Sequence, residues 1–227
     1  AQKKTGPVLA VDADPNSNLG EVLGVEQEQS IGSILDEVSS HQDSIPAGMT
    51  KDRYIEYKVH TSVSEAGGFD LLTMGKPEGP GCYCYVNNCL RNVAEKLIKD
   101  YAFVVIDNEA GLEHLSRRTT RAADVLLVVA HPKPVALRAA SRIVGLAKDL
   151  KIKTGKKLLL INQGPADPPK ALIAGIDAEY LGHIPEDEGI ADISISGRSL
   201  FELKTSSGAY KALEGLLDTI IKPVKKD

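Results

Sequence analysis

Val8-Leu9-Ala10-Val11-Asp12-Ala13-Asp14-Pro15-Asn16-Ser17-Asn18 is a short apolar run that ends in two carboxylates and a polar, proline-bearing loop. A run of this length bounded by turn residues reads as a parallel strand buried on both faces, which delivers side chains at its C-terminal end. Residues 69–74, 101–107, 124–130 and 157–162 repeat the pattern. Helical stretches lie between them, over residues 84–100 and 134–150. In the second, Ala136, Leu137, Ala140, Ile143, Val144, Ala147 and Leu150 share one face. This alternation predicts an α/β fold: a mostly parallel sheet with right-handed crossovers, helices on both faces and ligands at the C-terminal strand ends. Asp12, Asp107 and Asn162 all fall at such ends. Residues 40–66 show no clear period.

The bulk properties narrow the class of function. At 227 residues the chain is expected to form a single domain with one sizeable core. It is 42% hydrophobic and 26% charged, and no apolar run approaches the roughly 20 residues that span a bilayer. The first residues, Ala1-Gln2-Lys3-Lys4-Thr5-Gly6, show no secretory pattern, so a cytoplasmic protein is expected. A net charge of −4, with three Phe and no Trp, argues against a nucleic-acid partner, which needs basic patches or stacking platforms. Leu213, Leu216, Leu217, Ile220 and Ile221 form an amphipathic stretch that reads as core packing rather than a membrane anchor.

Three features carry chemistry. Asp12 and Asp14 follow a strand, where a carboxylate can orient a water or a magnesium ion beside a transferring phosphoryl group; a solvated Asx-Pro bend would look the same. Val104-Val105-Ile106-Asp107-Asn108-Glu109-Ala110-Gly111 is a second apolar strand ending in Asp, with a glycine that lets backbone approach a phosphate. Asn162, at another strand end, offers the paired donor and acceptor that read an adenine edge, or a turn residue. The cysteines Cys82, Cys84 and Cys89 lie too close together for a disulfide framework. Gly79-Pro80-Gly81 turns the chain so that Cys82 and Cys84 meet a helix start, which favours thiolates. Two thiolates are half of a zinc or nickel set, and a two-fold axis would supply the other half. Cys89 reads as packing.

In order and spacing these segments resemble the MinD/ParA-like class of P-loop ATPases, which also contains the nitrogenase iron protein. The C-x-C turn, with Asp107 to Arg117, narrows the resemblance to the nickel-insertion accessory ATPase of carbon monoxide dehydrogenase or acetyl-CoA synthase. The resemblance implies that Asp14 activates the attacking water, with Asp12 in the same switch. It makes Asp107 the Walker B aspartate, Gly111 the switch glycine, Asn162 the base reader and Pro185 part of a second base-contacting loop. It also implies ATP and Mg2+ as cofactors, Ni2+ or Zn2+ held by Cys82 and Cys84 across a homodimer, and apo carbon monoxide dehydrogenase or acetyl-CoA synthase as the client. His114 reads first as a surface histidine, and the resemblance places it in the second switch, where it would relay nucleotide state. The alternatives are an iron-sulfur electron carrier like the nitrogenase iron protein, and a ParA/MinD-type positioning ATPase. One departure is large, because no G-x-x-x-x-G-K-[ST] occurs in the sequence. The class begins with a strand, that loop and a helix. Their absence is read either as truncation or as a P-loop-less homologue, with no hydrolysis by the chain as it stands. Losing a strand that is central in the class would leave sheet edges unpaired.

Overall fold

Asp12 closes a strand that pairs on both sides, and the first half of the chain is built around it. The structure is a computed structural model that describes residues 6–40, 45–75, 95–109, 122–164 and 168–221. The chain divides into two compact units, Ala1–Glu109 and Ala110–Asp227.

In the first unit the elements run β1 (Val8–Asp12), α1 (Leu19–Leu23), α2 (Ile31–Ser40), α3 (Lys51–Thr61), β2 (Ser64–Ala66), β3 (Phe69–Thr73) and β4 (Phe103–Asp107). The strand order is β2-β3-β1-β4, with β1 parallel to both neighbours and β2 antiparallel to β3. Alternate residues of a strand share a face. Leu9 and Val11 therefore join Leu72, Val104 and Ile106 over α2 and α3, which contribute Ile34, Leu35, Val38, Ile55 and Val59. Each fully buried Leu or Ile of this set contributes roughly 1.5–3 kcal/mol. Helix α3 is mostly polar and is pinned by its caps and by one ion cluster. Thr50 accepts from the Arg53 amide at its start. Glu37, on α2, accepts from Tyr54 Oη at 2.6 Å, Gln29 Nε2 at 2.8 Å and Lys58 Nζ at 3.0 Å.

Burial alone would raise the Glu37 pKa, but these three donors outweigh it and hold it at about 2, against an ordinary 4.5. A depressed carboxylate contributes stability that is present above the unfolded value and is lost as pH falls through the folded one. Glu37→Gln is therefore expected to lower the urea midpoint at pH 7. The gap to wild type should narrow below pH 4.5 and close near pH 2. A gap independent of pH would contradict the assignment.

The second unit runs β5 (Ala122–Ala130), α4 (Pro134–Asp149), β6 (Lys153–Asn162), α5 (Lys170–Ile173), β7 (Glu179–Ile184), α6 (Glu188–Ser196) and α7 (Gly208–Ile221). Its sheet is parallel throughout, in the order β5-β6-β7. Pro134 opens α4, where no amide is needed; Leu137, Ala140 and Val144 pack against Val128, Leu159 and Ile161, and Ala147 is buried on the same predicted face. On the other side of the sheet, Leu160 and Ile184 pack with Ile190 of α6 and with Ala209 and Leu216 of α7, so helices cover both faces. Asp187 ties these two helices at their starts. It accepts from the Gly189 amide at 2.9 Å, Ser207 Oγ at 2.7 Å and the Ala209 amide at 3.1 Å.

The fold is thus the expected α/β arrangement, with one correction. Residues 101–107 and 124–130 read as fully buried strands, yet β4 pairs only with β1 and β5 only with β6 among the described residues. Each is a sheet edge. Val105 is accordingly 60% exposed, Val129 53% and Leu127 36%. Parallel edges with bare apolar side chains are unusual, because such sheets normally bury their strands. Among the described residues no helix is long and apolar enough to cross a membrane.

Candidate functional site

The parallel register of the first sheet places Asp12 level with Asp107 on one side and with Thr73 on the other. The pairing continues past the strand ends, since the Ala13 amide donates to Asp107 O and the Met74 amide to Asp12 O, both at 2.8 Å. Asp12 is fully buried. Its Oδ1 accepts from the Asp14 amide at 3.1 Å and its Oδ2 from the Leu19 amide at 2.9 Å. It thereby caps α1 across the loop, while the Asn18 side chain makes no capping bond. A buried carboxylate satisfied by backbone amides is a strut: it fixes both ends of the loop that carries Asp14.

Asp14 is half-buried at the turn through Pro15. Its Oδ1 accepts from the Asn16 amide at 2.8 Å and from Asn16 Nδ2 at 2.9 Å. The loop ends at Ser17, whose φ of 55° lies in the left-handed region that non-glycine residues seldom adopt. Asp107 reaches solvent at the open edge of β4, yet its carboxyl is pushed above the ordinary carboxylate range. Partial desolvation is the main cause, followed by the charges of Asp12 and Asp14. The structure therefore gathers Asp12, Asp14 and Asp107 at one sheet end.

A second group forms in the other unit. Asn162 is the last residue of β6 and pairs with Ile184, which Pro185 follows directly. Gly164 keeps the strand ends together: its amide donates to Ile184 O at 3.3 Å, and a Cβ there would come within 2.5 Å of Ile161 Cγ2 and 3.3 Å of Pro132 Cγ. His131 follows the Ala130–Ile161 pair and so stands next in register to Asn162; its Nδ1 is buried with no hydrogen-bond partner among the described residues. Spacing assigns no role to this histidine, because its neighbour is supplied by the sheet and not by the sequence. Cys82, Cys84, Cys89, Gly111 and His114 lie outside the described residues. Among the described residues no group of His, Cys, Asp and Glu is arranged to hold a metal ion.

The fold resembles that of solved MinD and ParA proteins. The septum site-determining protein MinD of Pyrococcus horikoshii, solved with Mg-ADP, superposes with a TM-score of 0.67 at 20% identity, over 96% of this chain and 84% of that one. A ParA family ATPase from Chlorobium tepidum gives 0.65 at 20% identity, over 95% and 86%. A sequence model described as an AAA domain matches residues 1–161. An uncharacterized ATP-binding protein of Methanocaldococcus jannaschii is 42% identical over 224 residues, 96% of this chain and 88% of the relative. The carbon monoxide dehydrogenase accessory protein CooC of Rhodospirillum rubrum is 30% identical over 227 residues, 94% and 86%. The chain belongs to this AAA-domain family of ATP-binding proteins.

Proposed function

We propose that the chain is a cytoplasmic ATPase-type protein, one domain over residues 1–227 that carries the switch segments and the metal-binding cysteines. It would bind nickel or zinc as cargo and deliver nickel to apo carbon monoxide dehydrogenase or acetyl-CoA synthase. The observation that carries the reading is the 30% identity to the CooC accessory protein across 94% of this chain, in a sequence with the Cys82-x-Cys84 turn.

Each residue group has a role in this reading. Asp14 accepts the proton of the attacking water, and Asp12 holds the loop that presents it. Asp107 is the Walker B carboxylate. Among the described residues the three carboxylates gather with no cation among their bonding partners, and the Asp107 carboxyl is raised by partial desolvation first and by the Asp12 and Asp14 charges second. Mg2+ keeps several waters and takes only one or two carboxylates beside the phosphates, so Asp107 would hold it, and when bound it would neutralise charge on the phosphates. Gly111 opens the second switch to the γ-phosphate. Asn162 reads the adenine edge, with Pro185 flanking the base. Phosphate gripping needs a G-x-x-x-x-G-K-[ST] loop, which does not occur in this sequence, and among the described residues β4 and β5 each have one unpaired edge. Cys82 and Cys84 of two copies complete a four-thiolate set, so nucleotide-driven closure of the dimer alters how tightly the cargo is held.

The test fuses the strand, phosphate loop and helix of a family member ahead of residue 1. Nickel affinity is then measured by competition with a chromophoric chelator in Mg-ATP and in Mg-ADP. Coupling between two sites is typically 5- to 150-fold, so a difference of about 10-fold or more is expected. Equal affinities in the two nucleotides, with both shown to bind, would contradict the reading.

A further inference from the structure

The segment joining α1 to α2 reaches back onto the acidic loop. Helix α1 ends at Gly24, whose φ of 68° is the left-handed turn that closes many helices, and the chain then reverses. Gln27 arrives over the first turn of α1. Its carboxamide lies against Gly20 so closely that a Cβ at Gly20 would sit 2.5 Å from both Cγ and Nε2. From there Nε2 donates to Ser17 O at 2.8 Å.

Ser17 is the residue in the left-handed conformation, and its own amide donates to Asp14 O at 3.0 Å. The Gln27 bond thus fastens the one residue in the loop whose backbone prefers to relax elsewhere. If Ser17 relaxes, the bond to Asp14 O opens and the turn that orients the Asp14 carboxylate loses its closing strut. We infer that Gln27 is a positioning residue for Asp14, latching the switch loop from outside the loop and depending on the bare Cα of Gly20 for its seat. The inference rests on the reading of Asp14 as the water-activating carboxylate. Gln27 touches neither water nor nucleotide in this account.

The latch has two independent handles. Gln27→Leu keeps the volume and removes the donor, whereas Gly20→Ala keeps the donor and evicts it, because the Gln27 side chain yields more easily than the helix backbone. Nitrogen-15 relaxation dispersion at the Asn16, Ser17 and Leu19 amides is measured on the chain as it stands. Turnover and KM for Mg-ATP are measured on the phosphate-loop fusion. Misplacement of a catalytic group by about 1 Å can cost about 100-fold, so both variants are expected to lose about 10- to 100-fold in kcat. KM should stay within about twofold and exchange should appear at those three amides. Quiet amides and full kcat in Gln27→Leu would overturn the inference alone. Full kcat in Asp14→Asn would overturn the reading beneath it. A loss of kcat that merely tracks a fall in Tm, with no new exchange in the loop, would reduce Gln27 to packing and also refute the proposal.

Discussion

Asp14→Asn, in the chain fused to a phosphate loop, is expected to lower ATP turnover about 10²- to 10⁴-fold, the range typical of a removed general base. The substitution is informative because it spares the loop. An asparagine oxygen still accepts from the Asn16 amide and Nδ2, the two bonds that Asp14 Oδ1 makes now, so the turn through Pro15 persists. What is lost is the ability to take a proton from the attacking water. KM for Mg-ATP should therefore change little, and the loss should appear in kcat. Removal of Asp12 would be less clean. Its carboxylate is buried and satisfies the Asp14 and Leu19 amides, so alanine there would leave two donors without partners and loosen the whole loop. A kcat for Asp14→Asn within a few-fold of wild type would remove Asp14 from the mechanism.

The parts of this molecule that could be read from sequence are those set by strand periodicity. β1 begins and ends where the apolar run does, and α4 buries the face its spacing marks. The gathering of Asp12 with Asp107 also follows from the pattern, because parallel strands in register deliver their last residues to one edge. β5 and β6 start earlier than their apolar runs, at Ala122 and Lys153, because exposed strand ends tolerate polar and small residues. α3 and β2 escaped the reading of residues 40–66. The helix is mostly polar and buries only Tyr54, Ile55 and Val59, and β2 spans three residues held by pairing with β3. The burial expected at β4 and β5 does not occur, because composition records that a strand suits an interior and not whether a neighbour lies alongside. Gln27 was invisible for another reason: its contact with Ser17 exists only because Gly24 reverses the chain and Gly20 leaves room.

The second large effect concerns the cargo. Loss of both thiols, Cys82→Ala/Cys84→Ala, should abolish nickel and zinc binding, since it removes all four thiolates of the shared site, two from each copy. A single variant, Cys84→Ala, should retain at most a weak two-thiolate site. The coupling to assembly separates this prediction from adventitious binding: a metal shared across a two-fold axis draws two chains together, whereas a surface thiol binds metal without changing mass.

The most direct test is an anaerobic nickel titration of the chain, following metal per protomer together with mass by light scattering, beside the double cysteine variant. The account predicts saturation at about half a nickel per chain, as one site shared by two copies requires, with the mass doubling as the metal binds and both changes absent in the variant. Nickel bound by wild type and variant alike, or bound with no change in mass, would contradict it.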